Sequence, residues 1–172
     1  MMKTFFLTIF LGIALSVNTS KAQDTLKIKQ SAQLMANAFA NSDFDALLDY
    51  TYPKVVAMGG GKEKMKVTIS NAMNQMKAQG ITFRSIKLGA ISKVYKAGTE
   101  LHCSIEQHLA LNMEGGYITS ISPLMCISGD KGQTWTFISA GDLNEGIIKV
   151  LFPDYNPEFV LAKASTPEFH KE

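Results

Sequence analysis

Residues 81–140 read ITFRSIKLGAISKVYKAGTELHCSIEQHLALNMEGGYITSISPLMCISGDKGQTWTFISA, and this stretch decides the fold. Gly-containing breaks at Lys96-Ala97-Gly98, Glu114-Gly115-Gly116 and Gly129-Asp130-Lys131-Gly132 divide it into four β-prone segments in series. Segments joined by such short breaks pair with their neighbours, so the pattern predicts an antiparallel meander. The chain ahead of it has helical periodicity. Together these predict an α+β domain whose N-terminal helices cover one face of a curved sheet.

Within Leu101–Met113 the odd positions are Leu101, Cys103, Ile105, Gln107, Leu109, Leu111 and Met113, and the even ones are His102, Ser104, Glu106, His108, Ala110 and Asn112. This period-two split predicts an apolar face against the helices and a polar face turned away. A three-residue loop at Glu114-Gly115-Gly116 sets Leu111 opposite Thr119, Leu109 opposite Ile121, Ile105 opposite Met125 and Cys103 opposite Ile127. A two-residue loop would instead turn Ser120, Ser122 and Ser128 to the core, so the first register buries more apolar surface and is preferred. In it Cys103 and Cys126 point to opposite faces and a bridge would require backbone movement. Two cysteines in an exported chain would otherwise suggest a disulfide.

Upstream, Ile28, Ala32, Met35 and Phe39 form one stripe of an amphipathic helix. Ser42 and Asp45 resemble a capping box opening a short helix from Asp43 to Thr51, which Pro53 stops. Lys54–Met58 reads as a short edge strand. Gly59-Gly60-Gly61 lacks the spacing of a phosphate loop and reads as a turn. Residues 62–79 form the clearest helix, with Met65, Ile69, Ala72, Met73 and Met76 facing the sheet as core rather than as a metal box. Downstream, Ser128-Gly129-Asp130-Lys131-Gly132-Gln133-Thr134-Trp135 resembles the Asp-box of sialidases. A single copy reads as a tied hairpin turn with Trp135 beneath it, not as an active site. A helix over Leu143–Leu151 follows, then Tyr155, Phe159, Val160 and Leu161 held against the body, and residues 163–172 as a frayed end.

The N-terminus has Lys3, an apolar run from Phe5 to Val17, and Ser20-Lys21-Ala22, the layout of a signal peptide cut after Ala22. No Cys follows for a lipid anchor, so residues 1–22 read as a leader and the remainder as an exported protein, periplasmic or secreted. Residues 23–162 then make one domain. The leader holds two of the 17 basic residues and none of the 15 acidic ones, which leaves the rest of the chain with balanced charge. Without a basic excess it has no electrostatic footprint for nucleic acid or an anionic membrane.

In this order the chain resembles the nuclear transport factor 2-like superfamily, shared with ketosteroid isomerase, scytalone dehydratase and polyketide cyclases. The likeness rests on Asn41-Ser42-Asp43-Phe44-Asp45-Ala46-Leu47, on Gly60-Gly61-Lys62-Glu63 opening the third helix, and on the long meander. It implies a cone-shaped curved sheet with helices on its concave face, a pocket between them, and a homodimer through the convex face, with Trp135, Phe137 and Leu124 as candidate contacts. The isomerase acids do not carry over. Glu106 and Glu114 fall on the outward face or in a turn, and Asp142 lies beyond the last strand.

Gln107, the one polar residue within the apolar face, is the leading pocket candidate, with Tyr50, Tyr52 and Met125 as neighbours; a neighbouring backbone group near Pro123 is its competing partner. His102, Glu106 and His108 are metal-ligand types on one face, but two residues along a strand span about 7 Å, and a solvated or dimer-facing row fits better than zinc. The reading that follows is a non-enzymatic domain binding a small apolar or amphipathic ligand, with no cofactor, no metal and no catalytic residue. The alternatives are a small isomerase, dehydratase or cyclase using Asp49, Tyr52 or Gln107, and a structural or interaction module with a filled cone.

Overall fold

The computed structural model describes residues 17–172, and the leader expected over residues 1–22 falls largely outside them. The chain is α+β, with its longer helices ahead of a seven-stranded antiparallel sheet. The helices are α1 (Val17–Ala40), α2 (Phe44–Asp49), α3 (Pro53–Met58) and α4 (Lys62–Ala78). The strands are β1 (Thr82–Ile91), β2 (Tyr95–Ala97), β3 (Glu100–Met113), β4 (Gly116–Ile121), β5 (Leu124–Ser128) and β6 (Thr136–Ser139), followed by α5 (Glu145–Leu151) and β7 (Glu168–Lys171).

Strand β3 is the spine. Its C-terminal half pairs with β1 and β4, and its N-terminal half with β2 and β5. β6 adds to β5, and β7 to β4. Ser122 and Pro123 separate β4 from β5, yet one register runs through both: His108 faces Ile121, Ile105 faces Leu124 and Cys103 faces Cys126. Ser122 N–H continues the ladder by donating to Gln107 O.

This register differs by one residue from the expected one, since Met113 pairs with Gly116 across a two-residue loop and Leu111 faces Ile118 rather than Thr119. Counting apolar surface on one face misled because both faces are buried. On the odd face Cys103, Ile105, Leu124, Cys126, Trp135 and Phe137 pack with Ile28 and Ala32 of α1. On the even face Met125, Ile127 and Ile138 pack with Tyr52, Leu151, Phe152 and Phe159. The slip exchanges one apolar set for the other. Its one fully buried polar cost, Ser128, is offset locally: the Ser128 hydroxyl donates to Asp130 Oδ1 at 2.8 Å and accepts from Gly132 N–H at 2.8 Å.

Several expectations about the polar face therefore change. His102 is only 1% exposed, enclosed by Phe152, Tyr155 and Phe159 rather than turned to solvent or to a partner. Trp135, Phe137 and Leu124 are buried beneath α1 within the chain, so they cannot line a convex contact between copies.

The N-terminal helices differ in smaller ways. Asp43, not Ser42, caps α2, its carboxylate accepting from Ala46 N–H, while Ser42 takes a left-handed φ of 58°. Residues 54–58 are helical because Pro53 sits in the first turn of α3, where its fixed φ suits a helix and its missing N–H costs nothing; this outweighs the strand preference of Val55 and Val56. α4 buries no residue fully and pairs Lys62 with Asp49 and Lys66 with Asp45. Its Met73 and Met76 line a recess with Phe39, Phe83 and Leu111 at the sheet margin.

The C-terminal residues, expected to fray, form the edge strand β7. Gly116 allows its approach, because a Cβ there would lie 2.0 Å from His170 O. His170 stacks on Tyr117, and the Arg84 guanidinium lies 4.0 Å over the Tyr117 ring while holding Glu172 at 2.9 and 3.1 Å.

Candidate functional site

An open groove of about 670 Å³ lies on the even face, over the C-terminal half of β3. Ala110 and Ile121 supply an apolar floor, and Lys87, His108, Ser165, Thr166 and Glu168 bring polar groups to it. The far wall is the segment leading to β7, fixed where Ile121 N–H donates to Ser165 Oγ and Ser165 N–H donates to Ile121 O, both at 2.8 Å. The near wall is β1, which bulges between Leu88 and Ile91. Gly89 in that bulge leaves room for Glu106 and His108 to lean over it, since a Cβ there would lie 2.6 Å from Glu106 Oε2 and 2.9 Å from His108 Nε2. Those two side chains meet at 3.3 Å and stay half-exposed.

A second constellation lies at the other end of β3, where the even face is covered. Glu100 accepts a 2.9 Å hydrogen bond from the Tyr52 hydroxyl on Oε1 and a 3.0 Å bond from His102 Nε2 on Oε2, with Lys54 Nζ at 3.8 Å. A carboxylate only accepts, so His102 carries its proton on Nε2, leaving Nδ1 as a bare acceptor, buried without a hydrogen-bond partner among the described residues. Burial pushes the Tyr52 phenol well up, with the Glu100 hydrogen bond and charge adding to it. Burial lowers the His102 pKa, with Glu100 opposing. The adjoining cavity, between Lys54, Thr99, Phe152 and Asp154, is only about 80 Å³.

The four residues singled out from the sequence fall in two places. The chain crosses the sheet edge beside β6, where Phe137 N–H donates to Tyr50 O and Tyr52 N–H donates to Phe137 O. Alternation then sends Tyr50 to the core under α1 and Tyr52 to the even face with Met125. Gln107 lies on the odd face, half-buried and paired with Leu88, away from both Tyr52 and Met125. Asp49 is exposed and paired with Lys62. Ser165, Thr166 and Glu168, which wall the groove, carry no recognisable motif in the sequence, and only the docking of β7 brings them there. Among the described residues no three His, Cys, Asp or Glu side chains are grouped to hold a metal, and no helix is long and apolar enough to cross a membrane.

Comparison with protein-family models gives no match, and neither curated proteins nor solved structures give one.

Proposed function

We propose that this chain is an exported, non-enzymatic domain that binds a small amphipathic molecule in the even-face groove. The observation carrying this reading is the groove itself: about 670 Å³ lies within the range of small-molecule sites, and an apolar floor with a few convergent polar groups is their usual lining. The nuclear transport factor 2-like resemblance and the leader-like N-terminus support it, and the same resemblance motivates a cone-shaped sheet and a homodimer, which would need a surface other than Trp135, Phe137 and Leu124. The best-organised titratable cluster does not reach the groove. His102 and His108 are six residues apart on β3, about 20 Å along an extended strand. A small isomerase, dehydratase or cyclase is the second reading, favoured only by the Glu106–His108 pair at the groove wall.

Native mass spectrometry of the leaderless chain with dodecanoate tests the binding, with Ser85→Trp placed to fill the groove and Gln107→Leu to alter the odd face. Binding weakened at least about tenfold by Ser85→Trp alone, with the melting temperature kept, is the expected result. Loss with Gln107→Leu and none with Ser85→Trp would move the site beneath the helices and sink the groove reading.

A further inference from the structure

The corrected register sets two thiols against each other. Cys103 on β3 faces Cys126 on β5 directly, both point to the odd face, and both are 0% exposed beneath Ile28 and Ala32 of α1. The kind of pairing follows from the neighbouring bonds. Ser104 turns its N–H and C=O toward Ser92, with Ser104 N–H donating to Ser92 Oγ and Ser92 N–H donating to Ser104 O, both at 2.9 Å. Backbone groups alternate sides along a strand, so those of Cys103 point toward β5. Cys103 and Cys126 are therefore a hydrogen-bonded pair, whose Cα atoms stand about 5.5 Å apart, inside the span of a disulfide. Opposite side chains on one face of such a pair lie up to about 5.5 Å apart at Cβ, so a small closing of the two strands brings the sulfurs to bonding distance.

From this we infer that Cys103 and Cys126 are an oxidation site, joined as an intramolecular disulfide that ties β3 to β5 when the chain folds in the presence of a thiol–disulfide reagent. Both are free thiols in this structure. The chemistry balances in two exchanges. One cysteine thiolate attacks a sulfur of the reagent's disulfide, forming a mixed disulfide and releasing one reagent thiol. The second cysteine, after losing its proton, attacks the cysteine sulfur of that mixed disulfide and expels the other reagent thiol. The chain gives up two electrons and two protons, and the reagent is reduced to two thiols.

Burial also sets the order of events. Cys126 sits in apolar surroundings beside the Cys103 thiol, and burial pushes its pKa well above the ordinary thiol range. Such a thiol is a poor nucleophile once covered. Exchange therefore belongs to the stage before α1 docks, and the finished bridge is sealed by the same helix. This makes it a structural bond rather than a switch, and it applies whatever the groove binds.

The test is to refold the leaderless chain from denaturant in oxidised and reduced glutathione, then denature it again without reductant, alkylate with iodoacetamide and measure intact and peptide masses. The expected product is two hydrogens lighter than the reduced chain, takes no alkyl groups and yields a peptide linking Cys103 to Cys126. Its melting temperature should exceed that of the reduced, refolded chain by roughly 5–12 °C, the size expected when a loop of this length is closed. Two alkyl groups per chain, glutathione on either cysteine, or bridges between chains would each overturn the inference.

Discussion

The two halves of β3 have the same alternating sequence and opposite surroundings. From Glu100 to Ile105 the strand lies between two packed layers, with His102, Cys103 and Ile105 buried; from Glu106 to Met113 only Ala110 is buried and every other residue is half-exposed. The covered half is closed by α1 on one face and by Tyr52, Phe152 and Phe159 on the other. The open half is bordered on its even face by the β1 bulge and the segment leading to β7. Cohesion and access to solvent thus sit at opposite ends of one strand, so the groove can be exposed without weakening the core that positions it.

The sharpest way to break this comparison is to cut equivalent side chains from both halves. Ile105 and Leu109 share a strand and a face, but only Ile105 is fully buried. Ile105→Ala should cost about 2–5 kcal/mol in urea unfolding, through lost transfer energy and the cavity left behind, whereas Leu109→Ala should cost about 1 kcal/mol or less. Equal losses would mean that the open half is as consolidated as the covered one.

A smaller contrast separates the two carboxylates. Glu100 receives bonds from Tyr52 and His102 in a covered site, while Glu106 meets His108 with both side chains nearly half-exposed. Glu100→Gln removes the charge and turns an amide N–H₂ or a weaker carbonyl toward one of two donors, leaving a buried group unmatched at about 1–3 kcal/mol. Glu106→Gln should change stability by less than about 0.5 kcal/mol, the usual worth of an exposed pair. The same denaturation series decides it, and a large effect at Glu106 would assign that pair a structural role.

What the sequence made legible follows the same division. The α1 stripe of Ile28 and Ala32 was readable because it reflects one buried face with a simple period. The Asp130 turn was readable because its bonds are local: Asp130 accepts from Gln133 and Thr134 N–H and from the Thr134 hydroxyl, which holds its pKa down to about 2. The register was not, because burying Met125 and Ile127 on the second face requires Leu151, Phe152 and Phe159 to arrive from far along the chain. The groove was hidden for the same reason, since its wall at Ser165 and Glu168 depends on β7 docking at Gly116. Nothing local marks that encounter.

The smallest expected effect is one of pH, and it falls on the covered half. His102 is enclosed by Phe152, Tyr155 and Phe159, with Glu100 on its Nε2 and Lys54 nearby. Burial disfavours the imidazolium and outweighs the Glu100 bond that would favour it, while Lys54 adds a like charge, so the folded-state pKa lies below its ordinary value. The unfolded chain therefore binds the proton more readily than the native one. The contribution from neutral His102 is fully present above about pH 6.5 and is lost as pH falls from there toward the folded pKa, at no more than about 1.4 kcal/mol per pH unit. Urea midpoints measured between pH 7.5 and pH 5 should fall, and His102→Gln should flatten that slope. A slope that survived His102→Gln unchanged would put the responsive group outside the covered half and undo the division between the two ends of the strand.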